Sequence, residues 1–321
     1  MVRLHCEGVY ALMFAALKHV MTGLVASPNP TTVSATITGF SYPFGAVFSP
    51  DGSKAYVTNN VTSGTLSVIN TSNNSVTNTI SVGSGPYGVA VSADGSKAYT
   101  ANGDGNSVSV INTSTNTVSA TVTVGTNPRA VAVNPAGTRV YSANNSAGTV
   151  SVIDTSTNTV TATVTVGAAP RDIVVSADGS TAYAMNVGGD SVSVINTSTN
   201  TVTATISVGS APLGMSLASD GKLYVANIGG SSVSVISTST NTVTATISLA
   251  FSPYGVAASP DASKIYVINS GAGSVAVIDT SSNSVSATVT VGTGPFRAAV
   301  SPDGTKVYVP NYGTTTVSVI T

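Results

Sequence analysis

An all-β ring of seven four-stranded blades, a β-propeller, is the fold this sequence predicts, and three observations predict it. One unit recurs seven times, with prolines at Pro43, Pro86, Pro128, Pro170, Pro212, Pro253 and Pro295 and so a period of 41 to 43 residues. Each unit divides into four short runs in which Val and Ile alternate with Ser, Thr and Ala, a period of two that suits strands and not helices. The two ends of the chain are incomplete in complementary ways. "TTVSVIT" (315–321) stops where the other copies continue, and "TTVSATITG" (31–39) supplies a fourth strand with no first three before it. Units of about 40 residues holding four strands are the signature of propeller blades.

Taken in order, residues 1–26 fall outside the repeat and 27–321 form the propeller. "VYALMFAAL" (9–17) is apolar and follows Arg3, which allows a signal peptide or an anchor remnant; an upstream extension without a role is the other reading. The run is too short to span a bilayer, and Glu7, Lys18 and His19 crowd it. Within a unit, "GVAVS" is the innermost strand and Asp-Gly its hairpin turn. "KAYTAN" is the second strand, "SVSVI" the third and "NTVSATVTV" the outermost. Strand 31–38 then pairs with 315–320 and closes the seventh blade. A linear solenoid would leave both edges open.

The repeat wording, with Tyr-Val-Thr-Asn at 56–59, resembles the YVTN family of β-propeller repeat proteins over residues 31–321. The resemblance implies a seven-bladed fold in a secreted, surface-layer-like setting and names no activity, since propellers host many. The architecture is also similar to virginiamycin B lyases, which implies an acid–base histidine and a metal on acidic residues. Residues 31–321 contain no histidine to receive that role.

Composition narrows the function classes. Charged residues make up 7% of the chain and the net charge is −1, which removes the electrostatic case for nucleic acid or an anionic membrane. The only cysteine is Cys6, so no disulfide forms within the chain. His5, His19, Cys6 and Glu7 all precede the repeat, which leaves it without a Ser–His or Cys–His pair, a zinc site, or a His or Cys haem ligand. The expectation is therefore a non-enzymatic, secreted or cell-surface binding or structural module, without cofactor or metal. Its partner would be a protein, a glycan or a small anion. An Asp/Arg-based lyase or lactone hydrolase is the alternative. Sequons at Asn60, Asn70, Asn73, Asn112, Asn144 and Asn196 permit export without requiring it.

Charges that follow the repeat are read as scaffold: the aspartates of the Asp-Gly turns, and the Lys or Arg two residues before each repeat tyrosine. Those outside it are Arg129, Arg171, Arg297, Asp104, Asp172 and Asp190. The arginines stand at or beside the position after the repeat proline, where other blades carry Phe44, Tyr87, Leu213, Tyr254 and Phe296. That position opens the innermost strand, so these side chains should ring one mouth of the central channel. Arg129, Arg171, Arg297, Tyr87, Tyr254, Phe44, Phe296, Asp104, Asp172 and Asp190 form the expected ligand-binding rim, with no catalytic or metal-binding residue. A pairing of Arg171 with its neighbour Asp172 is the structural alternative.

Overall fold

The computed structural model describes residues 30–321, so the readings of 1–26 lie outside it. It is the expected ring: seven antiparallel sheets of four strands each. Blade one runs outward through Pro43–Phe48, Lys54–Asn59, Thr65–Asn70 and Ser75–Ser81, and five further blades repeat it. Blade seven takes Ala299–Val300, Val307–Asn311 and Thr316–Ile320 from the end of the chain and Val33–Ile37 from its start. Val33 stands opposite Ile320 and Ile37 opposite Val317, which closes the ring in the register that covers the last edge.

The alternation has a physical outlet on both faces of every blade. Tyr99, Ala101, Val108 and Val110 of blade two pack on Val131, Val140 and Ile153 of blade three, and equivalent clusters fill the other seams. Each tyrosine of the Tyr-x-x-Asn signature is buried. The asparagine of that signature is a strut. Asn102 Nδ2 donates to Ser107 Oγ (3.1 Å) and Ser109 Oγ (2.9 Å) of the next strand. Gly83, just past the preceding outer strand, packs on this amide, and a Cβ there would lie 2.5 Å from Nδ2. Blade six departs from the arrangement, with Ala250 at the glycine position and Ala276 at the second of the two serine positions; Asn269 turns instead to its own loop, accepting from the Ala272 N–H.

Outer strands are exposed edges without a single charge, and each carries a β-bulge instead. In blade three the bulge residue is Thr161, whose hydroxyl donates to the Val152 carbonyl at 3.2 Å. Thr77, Ser119, Thr203, Thr244, Ser286 and Ser34 do the same in the other blades. A bulge twists an edge away from pairing with another chain. Only a hydroxyl side chain also satisfies the carbonyl it exposes.

Sequence-stretches read as sequons are occupied by turn chemistry. Asn144 is fully buried as a strut, and Asn70, Asn112 and Asn196 each accept the N–H of the serine two residues on.

Candidate functional site

The loops that lead from an outer strand to the next inner strand share one end of the ring with the hairpins between second and third strands. Gly103 N–H donates to the Gly85 carbonyl at 2.8 Å and ties two of these loops together. Every inner strand starts here, so the residue after each repeat proline reaches the channel mouth. The residue after that faces the channel itself. Because successive side chains of a strand point to opposite sides, these two positions form separate rings.

The upper ring is an aromatic lid. Phe44 meets Tyr87 edge-on (5.1 Å between centroids) and Phe296 at 5.3 Å, and Phe296 meets Tyr254 at 5.2 Å. Two residues absent from the sequence reading complete it: Tyr312 lies 5.5 Å from Phe296, and Tyr42 lies 5.0 Å from Tyr312. Burial first, and then Tyr87 and Tyr42, push the Tyr312 phenol above its ordinary pKa. A signal for both was present. Seven of the twelve tyrosines belong to the repeat signature, and Tyr42, Tyr87, Tyr254 and Tyr312 outside it stand at the mouth.

The lower ring is small except at two places. It reads Gly45, Gly88, Ala130, Asp172, Gly214, Gly255 and Arg297. Inner strands touch backbone to backbone here: a Cβ on Gly88 would sit 2.8 Å from Ala130 Cα. The two large members find each other across the channel, Arg297 Nη1 donating to Asp172 Oδ2 at 2.8 Å. Asp172 is buried, and its carboxylate also accepts the Met215 and Ile173 N–H groups, each at 3.1 Å. Beneath this strut the inner strands line a half-open cavity of about 410 Å³.

Sequence adjacency is thus a poor guide to the ion pair. Asp172 pairs with Arg297 of blade seven, not with Arg171. Arg129 is fixed by Nε donating to Asn127 Oδ1 (2.5 Å) and by its guanidinium lying 3.8 Å over the Tyr87 ring. Arg171 stands beside Arg129 and Arg297. Burial, then the charges of Arg297 and Arg129, hold its pKa down at about 10.

Asp104 and Asp190 do not join this group. Asp104 is exposed, lying over Gly85 on the outer part of its loop. Asp190 is scaffold after all: its carboxylate accepts the Ala211 N–H at 2.7 Å, as Asn106 accepts Asn127 N–H at 2.8 Å two blades earlier. Among the described residues no three His, Cys, Asp or Glu side chains gather as a metal site, and no helix is long and apolar enough to cross a membrane.

A closed seven-bladed propeller with arginines and aromatic rings at one mouth is the class of protein these features define. The model of the cytochrome D1 heme domain matches residues 11–321, and the chain belongs to that family. A chain of Kuenenia stuttgartiensis hydrazine synthase has the same fold, with a TM-score of 0.81 and 24% identity over 88% of this chain and 96% of that one. At that identity the likeness speaks for the fold alone. No curated protein matches the chain. The resemblance to YVTN propellers therefore stands as a seven-bladed fold, and the family shown is the cytochrome D1 heme domain.

That membership overturns two expectations, a surface binding or structural module and a protein that is not an enzyme. Both rested on missing His, Cys and Glu side chains. A domain built around a prosthetic group leaves the hard chemistry to the group and needs from the protein chiefly binding, orientation and electrostatics. An inventory of catalytic side chains does not measure that.

Proposed function

We propose that the chain is an enzyme-like propeller whose working site is the mouth, and that the site takes the haem of its family's name by the acid groups and flat face of that ligand. The carrying observation is the gathering of three guanidinium groups, one of them paired with a carboxylate, beside an aromatic lid. At the channel itself three guanidinium groups stand with one carboxylate, Asp104 and Asp190 lying out on exposed loops of the same end, and arginine forks match carboxylates in pairs of parallel hydrogen bonds.

The iron is a different matter. Residues 30–321 contain no imidazole or thiolate, which leaves the phenols of the lid and the thioether of Met215 on the channel wall. Each pair of touching lid rings stands 5.0 to 6.5 Å apart between centroids, closer than the about 7 Å a macrocycle between two rings needs, two carbon contacts of ~3.5 Å. The described residues fit the edge and one face of a haem and offer its iron neither imidazole nor thiolate, so no step is routed through it. Arg129 and Arg171 bind and orient, the lid excludes water from one face, and the strut bridges the channel beneath. A cell-envelope location goes with this reading.

Titration with haemin, followed by absorbance, tests it. We expect saturable one-to-one binding that weakens with salt. Charge-assisted hydrogen bonds contribute about 1.5–3 kcal/mol each, so Arg129→Ala/Arg171→Ala should cost about tenfold or more in affinity. Absence of saturable binding, or binding indifferent to the double variant, would remove the mouth as the site.

A further inference from the structure

Three arginines share the mouth, and only one of them is without a partner there. Arg297 is held by Asp172, and Arg129 by Asn127 and the Tyr87 ring. Among the described residues, none makes a hydrogen bond or ion pair to Arg171, although this guanidinium is partly buried; the like charges of Arg297 and Arg129 oppose it more than Asp172 and the Tyr87 phenol favour it. A cation that has lost water and gained no acceptor is destabilising as it stands. An acidic ligand would reverse that. The nearest protein carboxylate does not, because Asp172 is committed to Arg297 and to two backbone N–H groups.

We propose that Arg171 is the anchor of the mouth and that recognition there is independent of iron: the site selects a planar polyacid, whether or not it carries a metal. This rests on the reading of the mouth given above and deepens it. Donors for the acid edge are present and unanswered, whereas imidazole and thiolate donors for the metal are absent from residues 30–321. Binding strength should therefore follow the acid groups and the flat face. Insertion of iron changes neither.

The experiment compares haemin with protoporphyrin IX, the metal-free ring with the same acid groups, on the full chain and on Arg171→Met. Equal affinities on the wild type, within about threefold, are expected, together with a loss of about tenfold or more for both ligands in the variant. The ligand-free variant should melt at the same temperature as the wild type or higher, because a repelled cation has been removed. Haemin binding more than about tenfold tighter than the metal-free ring would overturn iron independence while leaving the mouth as a haem site. Binding of neither ligand would remove both readings. Equal binding that survives Arg171→Met, or a lower melting temperature of that variant, would overturn Arg171 as anchor, the first pointing to adsorption elsewhere and the second to a structural role.

Discussion

At the base of the ring Asp51 is answered inside its own turn, by the hydroxyls of Ser49 (2.6 Å) and Ser53 (2.8 Å) and the N–H of Ser53. At the mouth Asp172 is answered by Arg297, 125 residues away and on the far side of the channel. The base pattern recurs at Asp94, Asp178, Asp261 and Asp303, each with hydroxyl partners two residues before and after. The mouth pattern occurs once. A polar group satisfied within five residues can be copied around a ring without regard to its neighbours. One satisfied across the ring makes particular blades depend on each other, and a site can be built only there.

The largest effect should come from breaking the seam that holds both ends together. Removing residues 1–29 should leave the melting temperature unchanged, whereas removing 1–40 should lower it sharply. The longer truncation uncovers the edge of Thr316–Ile320 and takes away Ile37 and Phe40, both buried. Burial of one such side chain contributes about 1.5–3 kcal/mol. Similar melting temperatures for the two truncations would show that the ring does not depend on Val33–Ile37.

Next in size is the contrast between the two carboxylates. Asp172→Ala leaves Arg297 uncompensated beside Arg171 and Arg129 and should cost about 3–5 kcal/mol in denaturant unfolding. Arg297→Leu in the same chain should recover much of that, since it withdraws the orphaned charge. Ser49→Ala at the base should cost only about 1 kcal/mol. Comparable losses for Asp172→Ala and Ser49→Ala would erase the distinction between cross-ring and local satisfaction.

The smallest effect is one of pH, and it belongs to the base. Hydroxyl and N–H donors lower Asp51, Asp94 and Asp178 from 3.8 to about 2. A carboxylate whose folded pKa lies below its unfolded value contributes stability that is full above the unfolded value and is lost as pH falls through the folded one. The melting temperature should therefore hold from neutrality to about pH 4 and decline from there toward pH 2. Asp51→Asn/Asp94→Asn/Asp178→Asn should flatten that decline, and an unchanged acid limb in the triple variant would assign it to other groups.

The sequence by itself determined nearly all of the scaffold: seven units, four strands in each, and the pairing of the two chain ends. Each of these is written in local or periodic chemistry. Alternating Val and Thr sets the strand, Asp-Gly the turn, and Asn with its serines and glycine the strut. Even the exception in blade six is legible, because Ala250 removes the glycine Asn269 would pack on and Ala276 removes one of the two hydroxyls it would donate to. The rim was legible as a place. Arg129, Arg171, Arg297, Tyr87, Tyr254, Phe44 and Phe296 do converge there, and Tyr42 and Tyr312 could have been added as tyrosines outside the signature. Tertiary structure alone decided who meets whom. Arg171 and Asp172 are adjacent in the chain yet face different rings, because a strand sends successive side chains to opposite sides. Asp172 and Arg297 share the channel-facing position of otherwise small residues, and only closure of the ring brings blade four within reach of blade seven. For the same reason Asp190 and Arg171 look alike in sequence, both charges outside the repeat. In the folded ring one is satisfied by a backbone N–H, and the other makes no hydrogen bond or ion pair among the described residues.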